Sequence, residues 1–351
     1  MARTRGGGAG AGAERGVANF PPMADVVTFG ELMLRLTPPG RFRFAQAPHF
    51  EITFGGAEAN VAVLIAQLGG SAEFVTRLPV NDIAQRAIDE LRGLGVGTAH
   101  ISRGGERIGV YFLEQGASQR PGKVIYDRAD SAIAEAELGA FDWDAIFAGA
   151  RWFHFSGITP AISNIAVEIT AEACAAARRL GLTVSFDLNY RAKLWTREQA
   201  GAALIPLMRH VDLCVTSAEE ARTVFGIDCT DDPGDAAVKL RDRFGFKTVA
   251  LTQRSGALAC STGWGAMLLA DGIPHFSRRH EIDVVDRVGA GDTFTGALIF
   301  SLMRGEAPAK AVEFAVAAST LAHTIPGDYA RLALDEVEAL AAGVSGGRVQ
   351  R

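Results

Sequence analysis

Apolar and polar positions along this chain fall into two alternating periods. The run Asp25-Val26-Val27-Thr28-Phe29-Gly30-Glu31 is short, apolar and closed by glycine, the pattern of a buried first strand. Residues 57–68 are apolar on most faces, rich in helix formers and stopped by Gly69-Gly70, which predicts a buried helix. A strand over 73–78 and an amphipathic helix over 82–92 follow. Further on the pattern predicts strand 182–187, helix 197–209, strand 212–216, helices 217–225 and 233–244, and strand 248–252. Two helical segments, 291–304 and 307–323, end the series. Strands alternating with helices call for an α/β fold, a mainly parallel central sheet with helices on both faces.

Two stretches break the alternation. Residues 40–54 and 97–128 hold short β-like pieces separated by Gly, Pro and Arg, with no helical period. Val110–Leu113 and Lys123–Tyr126 pair best as an antiparallel ribbon, so these stretches are expected to form a small β-sheet lid over the sheet edge. Such a lid can close on a substrate or form a dimer contact.

Composition narrows the class. The 351 residues are 48% hydrophobic and 21% charged, with a formal net charge of −5, which gives no pull towards nucleic acid or anionic membrane. No apolar run approaches the roughly 20 residues that span a bilayer. Residues 1–22, a Gly/Ala-rich stretch ending in Pro21-Pro22, are expected to be a disordered tail, and 346–351 a flexible C-terminus. One domain then occupies 23–345. Cys174, Cys214, Cys229 and Cys260 show no CxxC spacing and read as reduced thiols of a cytoplasmic protein. The histidines have no metal-ligand spacing, and His154 sits in an apolar run as a core residue.

The chemistry concentrates in Asp283-Val284-Val285-Asp286-Arg287-Val288-Gly289-Ala290-Gly291-Asp292-Thr293-Phe294. A strand-like run ends in a glycine turn that opens a helix, and free N–H groups at a helix start suit a phosphate. A carboxylate there repels phosphate unless it has a task, and the fitting task for Asp292 is general base. Alone, the turn reads equally well as an ordinary N-cap. A second turn, Phe54-Gly55-Gly56-Ala57-Glu58-Ala59-Asn60, also opens a helix and can offer backbone N–H groups to a polar substrate. Two other motifs fail. Gly116–Val124 is one residue too long for a P-loop and lacks the terminal hydroxyl, and Phe294 stands where a dinucleotide fingerprint needs glycine.

The two glycine turns, in this order, resemble the signatures of the ribokinase-like (PfkB) carbohydrate kinases, and the likeness runs from about Asp25 to Leu340. Within that family, Asp187-Leu188-Asn189-Tyr190-Arg191-Ala192-Lys193-Leu194-Trp195, Tyr126-Asp127-Arg128 and Phe155–Pro160 look like the 2-keto-3-deoxygluconate kinases. The resemblance implies transfer of the γ-phosphate of ATP to the 6-hydroxyl of that sugar acid. Asp292 would be the catalytic base, with Gly289, Ala290 and Gly291 forming the anion hole. It places Gly56, Tyr111, Tyr126, Arg128, Arg191 and Asp328 near the substrate. Two guanidinium groups suit a carboxylate and keto oxygen. Ser217 and Glu220, in Ser217-Ala218-Glu219-Glu220, stand where the family's N-x-x-E motif organises Mg²⁺, and Thr252 and Gly256 border the nucleotide. Relatives often hold a monovalent cation such as K⁺ near the position of Asp286, although Arg287 replaces their Thr or Pro. The resemblance also implies a homo-oligomer, a dimer or larger. The rival expectations are a neutral-sugar kinase such as a fructokinase and, more remotely, a non-catalytic sugar-binding protein.

Overall fold

The structure, a computed structural model, describes residues 24–256 and 258–344. The expected tail 1–22 and C-terminus 346–351 lie outside these residues. The N-terminal half runs β1 (Val26–Phe29), β2 (Met33–Thr37), β3 (Glu51–Gly55), α1 (Ala57–Gln67), β4 (Ala72–Leu78), α2 (Asp82–Gly93), β5 (Ile101–Arg103), β6 (Gly109–Glu114) and β7 (Lys123–Asp127). The middle holds α3 (Trp143–Ile146), β8 (Trp152–Ser156), α4 (Ile158–Ala161), α5 (Asn164–Arg179), β9 (Thr183–Asp187), α6 (Arg197–Leu204), β10 (Leu213–Thr216), α7 (Ala218–Phe225) and α8 (Pro233–Phe244). It closes with β11 (Thr248–Ser255), β12 (Ser261–Ala270), β13 (Ile273–Phe276), β14 (His280–Asp283), α9 (Ala290–Met303), α10 (Pro308–Ala322) and α11 (Leu334–Ala341).

The central sheet has the order β13-β12-β11-β10-β9-β8-β1-β4-β5, with β14 also on β12. From β11 to β5 every pairing is parallel, and β12 turns back antiparallel on β11. The α/β class expected from the alternation is thus the one observed. Parallel strands buried on both faces need apolar side chains on both, and β1, β8 and β10 are buried along their whole lengths. One core lies against α1, α2, α9 and α10, the other against α5, α7 and α8. The second is rich in aromatic rings, with Phe29 edge-on to both Phe141 and Trp143 at 5.3 Å.

A separate four-stranded sheet, β3-β2-β6-β7, stands over one end. Its β6–β7 ribbon pairs Tyr111 with Tyr126 in antiparallel register. Strand β5, inside the stretch 97–128, pairs instead with β4 at the edge of the central sheet. The helix anticipated over 197–209 stops at Leu204 and continues as a 3-10 turn, Ile205–His210. Pro206 lacks the N–H that an α-helix would use there. Among the described residues no helix is long and apolar enough to cross a membrane.

Candidate active site

The C-terminal ends of β9, β10 and β11 and the N-termini of α1, α7 and α9 open onto one cavity of about 1130 Å³ beneath the lid. Parallel sheets present ligands at this end because helix N-termini converge there. Gly56, Tyr111, Tyr126, Arg128, Arg191, Ser217, Glu220, Thr252, Gly289, Gly291, Asp292 and Asp328 all line it. Ala290, Gly256 and Asp286 do not. Ala290 and Asp286 are buried behind the wall, and Gly256 lies on the β11–β12 turn.

The late turn is built by backbone sterics. Gly289 caps α9 at φ +80°, and a Cβ there would stand 2.2 Å from the carbonyl oxygen of Asp328. Only glycine fits. The amides of Gly291 and Asp292 lie in the first turn of α9, where no carbonyl four residues back lies inside the helix to receive them. Asp292 itself is clamped by two side-chain amides. Asn60 Nδ2 donates to its Oδ2 at 2.6 Å and Asn189 Nδ2 to its Oδ1 at 3.4 Å. Burial pushes its carboxyl up to about 7, against the Asn60 hydrogen bond and the charge of Arg191, which both hold it down. Asn60 and Asn189 lie inside sequence runs noted for other residues. Nothing in their spacing shows that both meet Asp292.

A second carboxylate, Asp187 at the end of β9, lies in the same wall. Thr295 Oγ1 donates to it at 3.3 Å and Asn189 N at 3.1 Å. Burial, then the neighbouring Asp292 and Glu220, push its carboxyl well above the usual range, while Arg191 opposes them. Arg191 is exposed to the cavity and its charge reaches Asp187, Asp292 and Arg254.

Glu220 is engaged locally. Its Oε2 accepts from Ser217 N at 3.2 Å in a capping box, and its Oε1 accepts from Tyr190 N at 3.0 Å. Among the described residues no group of three His, Cys, Asp or Glu side chains could hold a metal directly. The donors present, Glu220 and Asp187, fit a Mg²⁺ carried by nucleotide phosphates and touched through water.

The lid end is different in character. Tyr111 OH donates to both oxygens of Asp328, at 2.6 and 2.7 Å. Arg128 is buried, pairs through Nη2 with Glu31, and lies 5.4 Å from the Tyr126 ring centroid. Glu31 also accepts from Ser131 Oγ at 2.6 Å. Arg128 lines the cavity wall, and its Nε is buried with no hydrogen-bond partner among the described residues. Arg287 donates to the carbonyls of Leu258, Ala259 and Ser261 at 2.7, 3.1 and 3.1 Å. It braces the β11–β12 turn, which accounts for an arginine in the late glycine motif.

Known proteins match this chain over most of its length. The family profile described as pfkB family carbohydrate kinase matches residues 23–333. A crystal structure of 2-dehydro-3-deoxygluconokinase from Thermotoga maritima is 50% identical, covers 92% of this chain and 99% of its own, and superposes with a TM-score of 0.89. The 2-dehydro-3-deoxygalactonokinase of Haloferax volcanii is 38% identical over 92% of this chain and 98% of its own length. A 2-dehydro-3-deoxygluconokinase of Thermoproteus tenax is 29% identical over 87% of this chain and 90% of its own length.

Proposed function

This chain belongs to the pfkB family of carbohydrate kinases, and we propose that it phosphorylates a 2-keto-3-deoxy sugar acid with ATP, the gluconate-derived acid in particular. The observation that carries the substrate class is Arg128 at the cavity wall, over the Tyr126 ring and among the lid tyrosines. Arg128 is paired with Glu31, and a substrate carboxylate would give it a second anionic acceptor that a neutral sugar lacks. The 50% identity with the Thermotoga maritima enzyme supports the gluconate form over the galactonate form.

The residues divide the work. Asp292 takes the proton of the 6-hydroxyl as that oxygen bonds to the γ-phosphorus, and the bond from phosphorus to the bridging oxygen of ADP breaks. The amides of Gly291 and Asp292 receive the charge on the transferring group. Asn60 and Asn189 keep the carboxylate aimed. Arg191 on the open side of the cavity and Arg128 with Tyr126 under the lid hold the acid end. Ser217, Glu220 and Thr252 border the nucleotide, and Mg²⁺, when bound there, offsets its phosphate charge. Closure of the lid excludes water that would compete for the phosphoryl group.

The lid carries Phe42, Phe50, Ile52 and Ile125 exposed to solvent, and this apolar face supports a dimer of the chain. The functional reading is tested by identifying the product. Phosphorus NMR of a complete reaction should show one monoester coupled to the C6 protons of the keto acid. A phosphate on another carbon, or no ester at all, contradicts it. Arg128→Met should raise KM for the acid by about tenfold or more with a smaller effect on KM for ATP. Equal effects on both constants would remove Arg128 from the acid site.

A further inference from the structure

The lid strand β2 sends one cation into the floor of the site, and the transfer chemistry above makes no use of it. Arg35 is 2% exposed. Its Nη1 donates to Asp328 Oδ1 at 2.7 Å, its Nη2 to Asp286 Oδ2 at 2.5 Å and its Nε to Thr37 Oγ1 at 2.9 Å. One planar fork therefore binds two carboxylates that are both buried.

Each carboxylate shapes a turn. Asp286 Oδ1 accepts from Val288 N at 3.1 Å and its Oδ2 from Gly327 N at 3.2 Å, which ties the chain before Gly289 to the chain before Asp328. Asp328 abuts both glycine turns. Its carbonyl oxygen is 2.2 Å from where a Gly289 Cβ would be, and its Oδ2 is 2.0 Å from where a Gly55 Cβ would be. Asp286 thus bears on the Gly289 turn through Val288, and Asp328 packs against both turns, through its carbonyl at Gly289 and its carboxylate at Gly55.

Two buried anions this close need a countercharge. A monovalent cation at Asp286 could supply it, as the sequence allowed. In the structure a guanidinium already takes an oxygen of each carboxylate, so these residues do not fit a further cation. We propose that Arg35 is a positioning residue for phosphoryl transfer, the fixed countercation that holds the Gly55 and Gly289 turns in register and frees the reaction from any need for a monovalent cation. The proposal rests on the kinase reading only for its rate readout, because its thermal readout needs no substrate.

The test uses the full chain at equal ionic strength in potassium, sodium and tetramethylammonium chloride. Rate and melting temperature of the unaltered protein are expected to be the same in all three salts. A fall in either when tetramethylammonium replaces potassium overturns the proposal. Arg35→Met should acquire the dependence, with turnover about tenfold higher, and a higher melting temperature, in potassium than in tetramethylammonium. A folded Arg35→Met protein indifferent to the salt overturns it too. Should that variant not fold, Arg35→Lys decides. Its turnover falls yet stays independent of the salt, and an acquired potassium dependence contradicts the proposal. Failure of the kinase reading shows separately, as absence of turnover in every salt.

Discussion

Asp292 is held by two amides and only distantly by a cation, and this sets its chemistry. A carboxylate paired directly with Arg would stay too acidic to take a hydroxyl proton near neutrality. Burial against Asn60 and Asn189 leaves Asp292 near 7, where a base is most effective. The base form predominates only above that value, so kcat/KM should fall about tenfold per pH unit well below it. Arg191 lowers the Asp292 pKa, so Arg191→Ala should move the acid limb of the pH profile to higher pH. A limb that stays in place would separate Arg191 from the base. Asp292→Asn should lower kcat by about 10²–10⁴-fold with the melting temperature nearly unchanged, and near-normal turnover in that variant would remove Asp292 as base. At this scale the sequence exposed Asp292 and its glycines, because an acid at a phosphate turn is chemically odd. It hid the amide clamp, since Asn60 lies 232 residues from Asp292 and only the fold joins them. It also hid the Glu31 partner of Arg128.

Among the elements, the parallel strands β1, β4, β9, β10 and β11 and the helices α1, α2, α7, α8, α9 and α10 were legible from period, whereas the parallel strand β8 and the helix α5 that follows it were not predicted. The buried strand β10 and the buried stretch Val249–Leu251 of β11 are apolar runs bounded by turns or polar residues, and α1 and α9 are apolar on most faces. Strands β12 to β14 were not legible. Their pairings join residues that need each other as partners, and Gly263 and Gly265 dilute the apolar pattern of β12. Strand β2 was missed for a related reason. Its Arg35 breaks the hydrophobic run and is buried only because Asp286 and Asp328 meet it. The turns between elements carry the strictest constraint. Gly289→Ala forces a side chain into φ +80° and onto the Asp328 carbonyl, and should cost about 2 kcal/mol or more of stability. Denaturant unfolding measures this, and a cost under about 0.5 kcal/mol would mean that the turn relaxes freely.

For the whole molecule, two sheets share one function. The central sheet supplies the converging helix N-termini, and the lid supplies Tyr111, Tyr126, Arg128 and, through β2, Arg35. The outer lid face, with Ile52 and Ile125 exposed, has apolar area that a second copy would cover. Ile52→Lys should therefore convert a dimer to monomers in light-scattering measurements while leaving the melting curve cooperative. An unaltered protein that is already monomeric would contradict the dimer. The central claim is that the cavity is built for an acidic keto sugar. It is tested most directly by kcat/KM values for 2-keto-3-deoxygluconate, its galactonate epimer, fructose and ribose, measured side by side with saturating ATP and Mg²⁺. The expected result is the gluconate-derived acid first and both neutral sugars lower by about 10³-fold or more. A neutral sugar turned over as efficiently as either keto acid would contradict it.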